Sequence, residues 1–402
     1  MAERIVIIGA GQAGVQAVTS LRAEGFDGAI TLVGDESFPP YQRPPLSKAY
    51  LAGDLARERL FLKPATFFAE SGCDLRVGVS TTRIDRTMRR VQLSDGTDLS
   101  FDNLLLATGA RVRRLPVPGA ELLGIYYLRG IDDVDALRPR LAPGARLAVV
   151  GGGYIGLEVA AVAVKHGLEV TVIEAARRVM ERAVSPLLSD FYASEHRAHG
   201  VKFLLDAKAQ GFDGQTRVEA VLTDKGRVPA DVVLVGIGVV PNSEIAEAAG
   251  LACDNGIVVD EFARTSDASI LAAGDCTNHP AFAGGRSRLE SVQNAIDQAK
   301  HAVTTMLGRP KAYREVPWFW SDQYDLKLQM AGLGRVGDER VLRGNPESRK
   351  FAIFHLRDGA VAAVEAVNAA PEYVVGRRLI AEGKKVAPGA LADLGLPMKS
   401  FV

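Results

Sequence analysis

Ile5-Val6-Ile7-Ile8-Gly9-Ala10-Gly11-Gln12-Ala13-Gly14 joins an unbroken apolar run to a G-x-G-x-x-G loop near the start of a 402-residue chain. The run lacks the alternation of a half-exposed strand, so it reads as a strand buried on both faces of a parallel sheet. A helical stretch follows from Ala13 to Glu24 and stops at Gly25. A second strand, Ile30-Thr31-Leu32-Val33, leads to Gly34-Asp35. Each glycine has a physical task. Gly9 permits a tight turn, Gly11 lets a pyrophosphate approach the backbone, and Gly14 lets helix and strand pack closely. The helix start offers free N–H groups and partial positive charge to phosphates. Asp35 stands where a carboxylate accepts hydrogen bonds from ribose hydroxyls. The glycine pattern alone is common; strand, loop, helix, strand and acid in this order specify a dinucleotide site.

The same order returns. Leu147-Ala148-Val149-Val150 feeds Gly151-Gly152-Gly153-Tyr154-Ile155-Gly156, then a helix through Leu157 to Lys165, then the strand Glu169 to Ile173 and the acid Glu174. Loop and acid recur together, which reads as two independent nucleotide sites rather than two halves of one. Glu174 bonds an adenosine 2′-OH and repels a 2′-phosphate, favouring NADH over NADPH. Arg177 and Arg178 stand close by and partly offset that repulsion.

Composition removes several classes of function. Lys+Arg and Asp+Glu are both 48, which gives no composition-level case for nucleic acid or an anionic membrane. Hydrophobic residues at 47% and charged residues at 24% fit a globular protein. The three cysteines, Cys73, Cys253 and Cys276, form no C-x-x-C pair, against a disulfide scaffold or a cysteine-held metal. No apolar run approaches a membrane span. The first strand starts too early to leave room for a leader, so the expected compartment is the cytoplasm. The six histidines show no metal spacing, and His196 and His199 read as a surface pair on one helix face.

Three further segments carry a resemblance: Leu104 to Gly109, ending in A-T-G; Ile270 to Asp275, ending in G-D; and the proline loop Tyr41-Gln42-Arg43-Pro44-Pro45-Leu46-Ser47-Lys48. With the glycine loops they resemble two-dinucleotide flavoproteins of the glutathione-reductase superfamily. R-P-P-L-S-K, the G-L-E after the second loop, V-G-I-G-V-V-P-N (Val235 to Asn242), E-S-V-Q-N-A (Glu290 to Ala295) and P-W-F-W-S-D-Q (Pro317 to Gln323) narrow it. They look like the NADH-dependent ferredoxin reductases of oxygenase systems, the family of putidaredoxin reductase and the aromatic-ring dioxygenase reductases.

The resemblance implies an α/β chain with two Rossmann-like domains, one for FAD and one for NAD, and a C-terminal α+β domain. Residues 1–108 and 244–316 would bind FAD, and residues 109–243, inserted between them, would bind NAD. Residues 317–402 would form an antiparallel sheet (Leu326 to Ala331, Phe351 to Leu356, Ala360 to Val367) with a helix from Pro371 to Glu382. Ala13, Asp35, Lys48, Arg129, Asp275 and Val292 match FAD-contacting positions, and Thr81 lies near another. Arg43 is a candidate for the phosphates. Ala107 in the A-T-G strand and Gly238 in the V-P-N segment join the cofactor-binding set. So do Gly151, Gly153, Tyr154, Ile155 and Gly156 of the second loop. Lys48 and Glu158 are expected as a charged pair near the docked nicotinamide; the plainer alternatives are a solvated loop cation and an exposed helix carboxylate. Trp320 is a candidate for the electron route, with Trp318 in the core.

Related disulfide reductases keep a dithiol beside the flavin, and the Pro44-Pro45-Leu46-Ser47 segment holds no sulfur. The electrons must still leave, and an external one-electron carrier is the simplest acceptor. The expected reaction is hydride transfer from nicotinamide C4 to flavin N5, then two single-electron transfers to a [2Fe–2S] ferredoxin. That ferredoxin would serve a cytochrome P450 or a ring-hydroxylating dioxygenase. Alignment of two planar rings is the main demand, with no essential acid–base residue in the hydride step. Lys63, Lys300, Arg309 and Lys311 are candidates for positive charge facing an acidic carrier. The alternatives are a rubredoxin reductase, an NADH oxidase, or a non-catalytic flavoprotein resembling apoptosis-inducing factor.

Overall fold

The computed structural model describes residues 3–402. The chain divides into two compact units. One comprises the described residues up to Gln42 with Glu58–Arg111 and Val240–Phe319; the other comprises Arg43–Arg57, Val112–Val239 and Trp320–Val402.

The first unit is built on a five-stranded sheet in the order Ile270–Ala272, Asn103–Leu106, Arg4–Ile8, Ala29–Val33, Cys73–Arg76. Every neighbouring pair in it is parallel. The apolar run of the first strand is needed on both faces. Ile5 and Ile7 join a core with Val15, Val18 and Leu21 of the Gln12–Ala23 helix and Ala299, Ala302 and Val303 of the Val292–Met306 helix. Val6 and Ile8 turn the other way, toward Ile84, Val91, Leu93 and Phe101. Ile84, Val91 and Leu93 come from a small antiparallel sheet, Thr81–Asp85, Arg90–Leu93 and Asp98–Ser100.

The second unit repeats the plan with Lys202–Leu205, Glu169–Glu174, Arg146–Val150, Val232–Val235 and Ile125–Tyr126, again parallel throughout. In both sheets the strand before the glycine loop is central, with later strands on either side. This is the switch-point arrangement that opens a crevice at the carboxyl ends of the strands.

A further five-stranded sheet runs Trp318–Gln323, Leu326–Gly332, Ala360–Val367, Lys350–Arg357, Glu339–Asn345. The Ala370–Glu382 helix packs on it. The Glu339–Asn345 strand is absent from the sequence reading because its inward positions include a charge. Only Val341 and Arg343 of that strand are buried. Ser185 starts the Pro186–Ala198 helix and donates its hydroxyl to Glu365 at 2.5 Å. His196 and His199 do not form the expected surface pair. His196 is fully buried, between Gln323 and Tyr324, while His199 stays exposed and stacks on the Tyr324 ring at 3.8 Å.

Glycine is needed for two separate reasons. A Cβ on Gly9 (φ +109°) would lie 2.0 Å from the Ala107 carbonyl oxygen, and one on Gly151 (φ +110°) 2.4 Å from that of Gly236. Gly11 and Gly153 have nothing within 4 Å. Gly9→Ala and Gly151→Ala should therefore each cost at least about 2 kcal/mol. Gly11→Ala should cost less than about 1 kcal/mol as a helix N-cap change. Thermal unfolding of the three variants checks the contrast.

Candidate active site

The two glycine loops share one geometry. Gly9 N–H donates to Val33 O and Gly151 N–H to Ile173 O, both at 2.8 Å. A Cβ on Gly14 would sit 2.1 Å from Gly9 O, and one on Gly156 2.1 Å from Gly151 O. Each helix therefore lies as close to its loop as a side-chain-free backbone allows. Gly11 and Gly153 are the N-caps; neither helix has a capping side chain or an acid in its first turn. The first-turn N–H groups are thus left to an anion, and a pyrophosphate fits that demand. Ala13 is buried in the first helix, beside the loop; Tyr154 and Ile155 begin the second helix, Ile155 exposed. The Tyr154 hydroxyl lies 3.5 Å from Met330 Sδ, and burial pushes that phenol up.

In the first unit, Ala107 N–H donates to Ile8 O at 2.7 Å, placing the A-T-G segment beside the loop. Thr108 Oγ1 donates to Asn242 O at 2.6 Å and Asn242 Nδ2 to Thr108 O at 2.9 Å, so A-T-G and V-P-N clamp one another. Gly274 (φ +88°) turns the chain into Asp275, and a Cβ on it would lie 3.5 Å from both Ala13 and Ala295. The first loop, the G-D turn and the start of the helix bearing Val292 thereby meet. Gln298, missed by sequence reasoning, fixes the turn: its Oε1 accepts Gly274 N–H at 2.7 Å and Thr277 Oγ1 at 2.9 Å. Asp35 is exposed just past its strand. Thr81 begins the small antiparallel sheet; its buried hydroxyl has no hydrogen-bond partner among the described residues.

In the second unit, Glu174 folds back on its own loop, accepting Gly152 N–H at 2.6 Å and Ala176 N–H at 2.7 Å. The Arg178 guanidinium is spent on Val184 O and Glu181 O, while Arg177 is exposed. Gly238 (φ +100°) accepts Arg113 N–H at 2.9 Å. Arg43 Nη1 donates to Arg129 O at 2.7 Å, and the N–H groups of Arg129 and Gly130 both reach Asp133 Oδ2. Trp320 is half-buried on the Trp318–Gln323 strand.

Lys48 and Glu158 do meet. Lys48 Nζ donates to Glu158 Oε2 at 2.6 Å and to Pro44 O at 3.3 Å. Glu158 is 2% exposed, so the exposed-carboxylate alternative falls. Ser47 Oγ donates to the same Oε2 at 2.5 Å, and Ser321 Oγ to Oε1 at 2.6 Å. Both serines lie inside quoted motifs, L-S-K and W-S-D, but nothing local marks a hydroxyl as a carboxylate's donor.

The charges offered for an acceptor surface are partly spent. Arg309 pairs with Glu24 at 2.9 Å, Lys300 with Asp297 at 3.5 Å, and Lys63 lies 4.6 Å over the Phe67 ring. Cys73 and Cys276 are buried, and burial pushes the Cys73 thiol up to about 11, an unreactive form.

A pair of parallel sheets, each with an open glycine loop and a closing acid, defines an oxidoreductase that holds two dinucleotides. The chain belongs to the pyridine nucleotide-disulphide oxidoreductase family, whose model matches residues 3–299; a reductase C-terminal model matches residues 318–402. It is 48% identical over 398 residues to rhodocoxin reductase of Rhodococcus erythropolis, covering 98% of this chain and 93% of that one. It is 42% identical over 404 residues to the ferredoxin–NAD(+) reductase component of the anthranilate 1,2-dioxygenase system of Burkholderia cepacia, covering all of both. The fold matches the reductase in a covalent putidaredoxin reductase–putidaredoxin complex with a TM-score of 0.96 at 42% identity, over 99% of this chain and 98% of that one.

Burial holds the His196 and His279 imidazoles down at about 4, against an ordinary 6.5. Between those values the unfolded chain binds more protons than the folded one, so stability rises with pH. Each histidine should withdraw about 3 kcal/mol as pH falls from about 6.5 to about 4, with full stability above that window. Melting temperatures recorded across it test the slope.

Proposed function

We propose that this chain is an FAD-dependent NADH:ferredoxin reductase that passes electrons singly to a [2Fe–2S] ferredoxin serving a cytochrome P450 or a ring-hydroxylating dioxygenase. The observation that carries the reading is the pair of open glycine loops in a chain with three free cysteines and no C-x-x-C. Over nearly its whole length the chain is similar to a ferredoxin–NAD(+) reductase component of a dioxygenase system and to a ferredoxin reductase for the CYP199A2 system, which supports this reading. Bound FAD would supply a hydride acceptor that releases electrons one at a time.

The chain's own residues bind and orient. The first-turn amides at Gln12, Ala13 and Gly14 would hold the FAD pyrophosphate, with Asp35 on its ribose, Gly9, Gly11 and Ala107 shaping the cradle, and Asp275, Val292, Thr81, Arg43 and Arg129 assigned to the same cofactor. The amides after Gly153 would hold the NADH pyrophosphate, with Glu174 on its ribose and Gly151, Tyr154, Ile155, Gly156 and Gly238 around it. We assign FAD to residues 1–108 and 244–316, NAD to 109–243, and a C-terminal domain to 317–402. Lys48 and Glu158 serve the hydride step. A protonated lysine has three donors and two are engaged, leaving one to direct at a ring atom. Trp320 serves electron exit. No helix among the described residues is long and apolar enough to cross a membrane, in keeping with a cytoplasmic place for the enzyme.

Anaerobic titration tests the reading. NADH should bleach the flavin stoichiometrically, and NADPH should require at least about tenfold more because Glu174 repels its phosphate. Cytochrome c reduction should then depend on an added ferredoxin; support by rubredoxin instead would favour the rubredoxin reading. Protein that is colourless and takes up no FAD would overturn it. Lys48→Met should slow flavin reduction by NADH on the order of tenfold or more. It should also destabilise the fold, because it strips a charge partner from a buried carboxylate.

A further inference from the structure

One row of hydrogen bonds ends on the Glu158 carboxylate. The Tyr324 hydroxyl donates to His196 Nδ1 at 2.8 Å. His196 Nε2 lies 2.8 Å from Gln323 Oε1. Gln323 Nε2 donates to Ser321 Oγ at 3.2 Å, and Ser321 Oγ donates to Glu158 Oε1 at 2.6 Å. The direction is forced. A carboxamide oxygen only accepts, so His196 carries its proton on Nε2, and its bare Nδ1 must accept from Tyr324. Ser321 has one proton and gives it to the carboxylate, so its lone pair takes the Gln323 N–H. His196, Ser321 and Gln323 are all within 1% of complete burial, which leaves water no place to substitute for a missing link.

The row positions; it does not conduct protons. Gln323 sits in the middle, and a carboxamide passes no proton along unless it becomes an imidic acid. What it fixes is the rotation of Glu158. With Oε1 held by Ser321, Oε2 is turned to Lys48 Nζ and Ser47 Oγ. The anchors are stiff. His196 rides on the Pro186–Ala198 helix, whose other end is held by Ser185 on Glu365. Tyr324 occupies the left-handed region (φ +57°), an unusual conformation for a tyrosine, and from there its ring reaches His196 and stacks on His199. Side chains alternate along the strand, so Ser321 and Gln323 share one face while Trp320 takes the other.

We propose that Ser321, Gln323 and His196 are positioning residues for the Lys48–Glu158 pair, setting the carboxylate's orientation and with it the direction of the lysine's remaining N–H. The inference rests on the reading that this pair serves hydride transfer. It separates from that reading experimentally. In the FAD-loaded enzyme, Ser321→Ala and Gln323→Leu should each slow flavin reduction about tenfold, with KM for NADH changed less than about twofold. Both should also shift the flavin midpoint potential and its visible absorption envelope, readouts independent of turnover. Ser321→Thr keeps the hydroxyl in a residue suited to a strand and should restore all of these. It keeps the test decisive if Gln323→Leu does not fold. A normal rate in Glu158→Gln would overturn the role of the pair, and the row's with it. A slow Glu158→Gln beside Ser321→Ala and Gln323→Leu proteins of parental rate, potential and spectrum would overturn the positioning role alone.

Discussion

A carboxylate that water cannot reach must find every donor inside the protein. Glu158 finds three, from sequence segments far apart: Lys48 and Ser47 on the proline loop and Ser321 on the first strand of the C-terminal sheet. Its own helix contributes none of them. The second nucleotide-binding sheet, the proline loop and the C-terminal sheet are therefore tied at one anion, and the Arg43–Arg57 segment belongs to that compact unit rather than to the one it follows in the chain. An apolar side chain in the same place would not enforce this; the cost of an unsatisfied buried charge does.

The nucleotide loops rest on a different constraint. Their helices approach so closely that a methyl group would overlap a carbonyl at Gly14 and at Gly156. Nothing at Gly11 or Gly153 requires glycine for packing, and those positions face open space. The fold thus spends two glycines of each loop on its own assembly and leaves the middle one for the ligand. The near-identical distances in two separately encoded loops show how little latitude a strand–loop–helix junction has.

Backbone constraints of this kind leave a mark in the sequence, which is why both sheets, both loops and the G-D turn were legible there. The Lys48–Glu158 pair was legible through the motifs that contain it. Its supporting cast was not. Ser47, Ser321, Gln323 and Gln298 are small or neutral polar residues whose neighbours in sequence say nothing of the carboxylate, imidazole or amide they will meet. His196 looked like half of a surface pair because helical spacing cannot show that a glutamine ending a distant strand and the tyrosine turning after it will enclose it. The Glu339–Asn345 strand was hidden by Arg343, a charge where a core residue is expected.

That arginine has a consequence for the far end of the chain. Its guanidinium is 4% exposed, and its donors are taken by the carbonyls of Leu391, Asp393 and Leu396 and by the Glu372 carboxylate. The backbone from Leu391 to Leu396 is thus the solvation shell of a buried guanidinium. Trimming it would not remove a dispensable tail. It would leave a cation stranded under the sheet with a single counter-charge, so a segment whose side chains mostly face water serves the interior through its carbonyls.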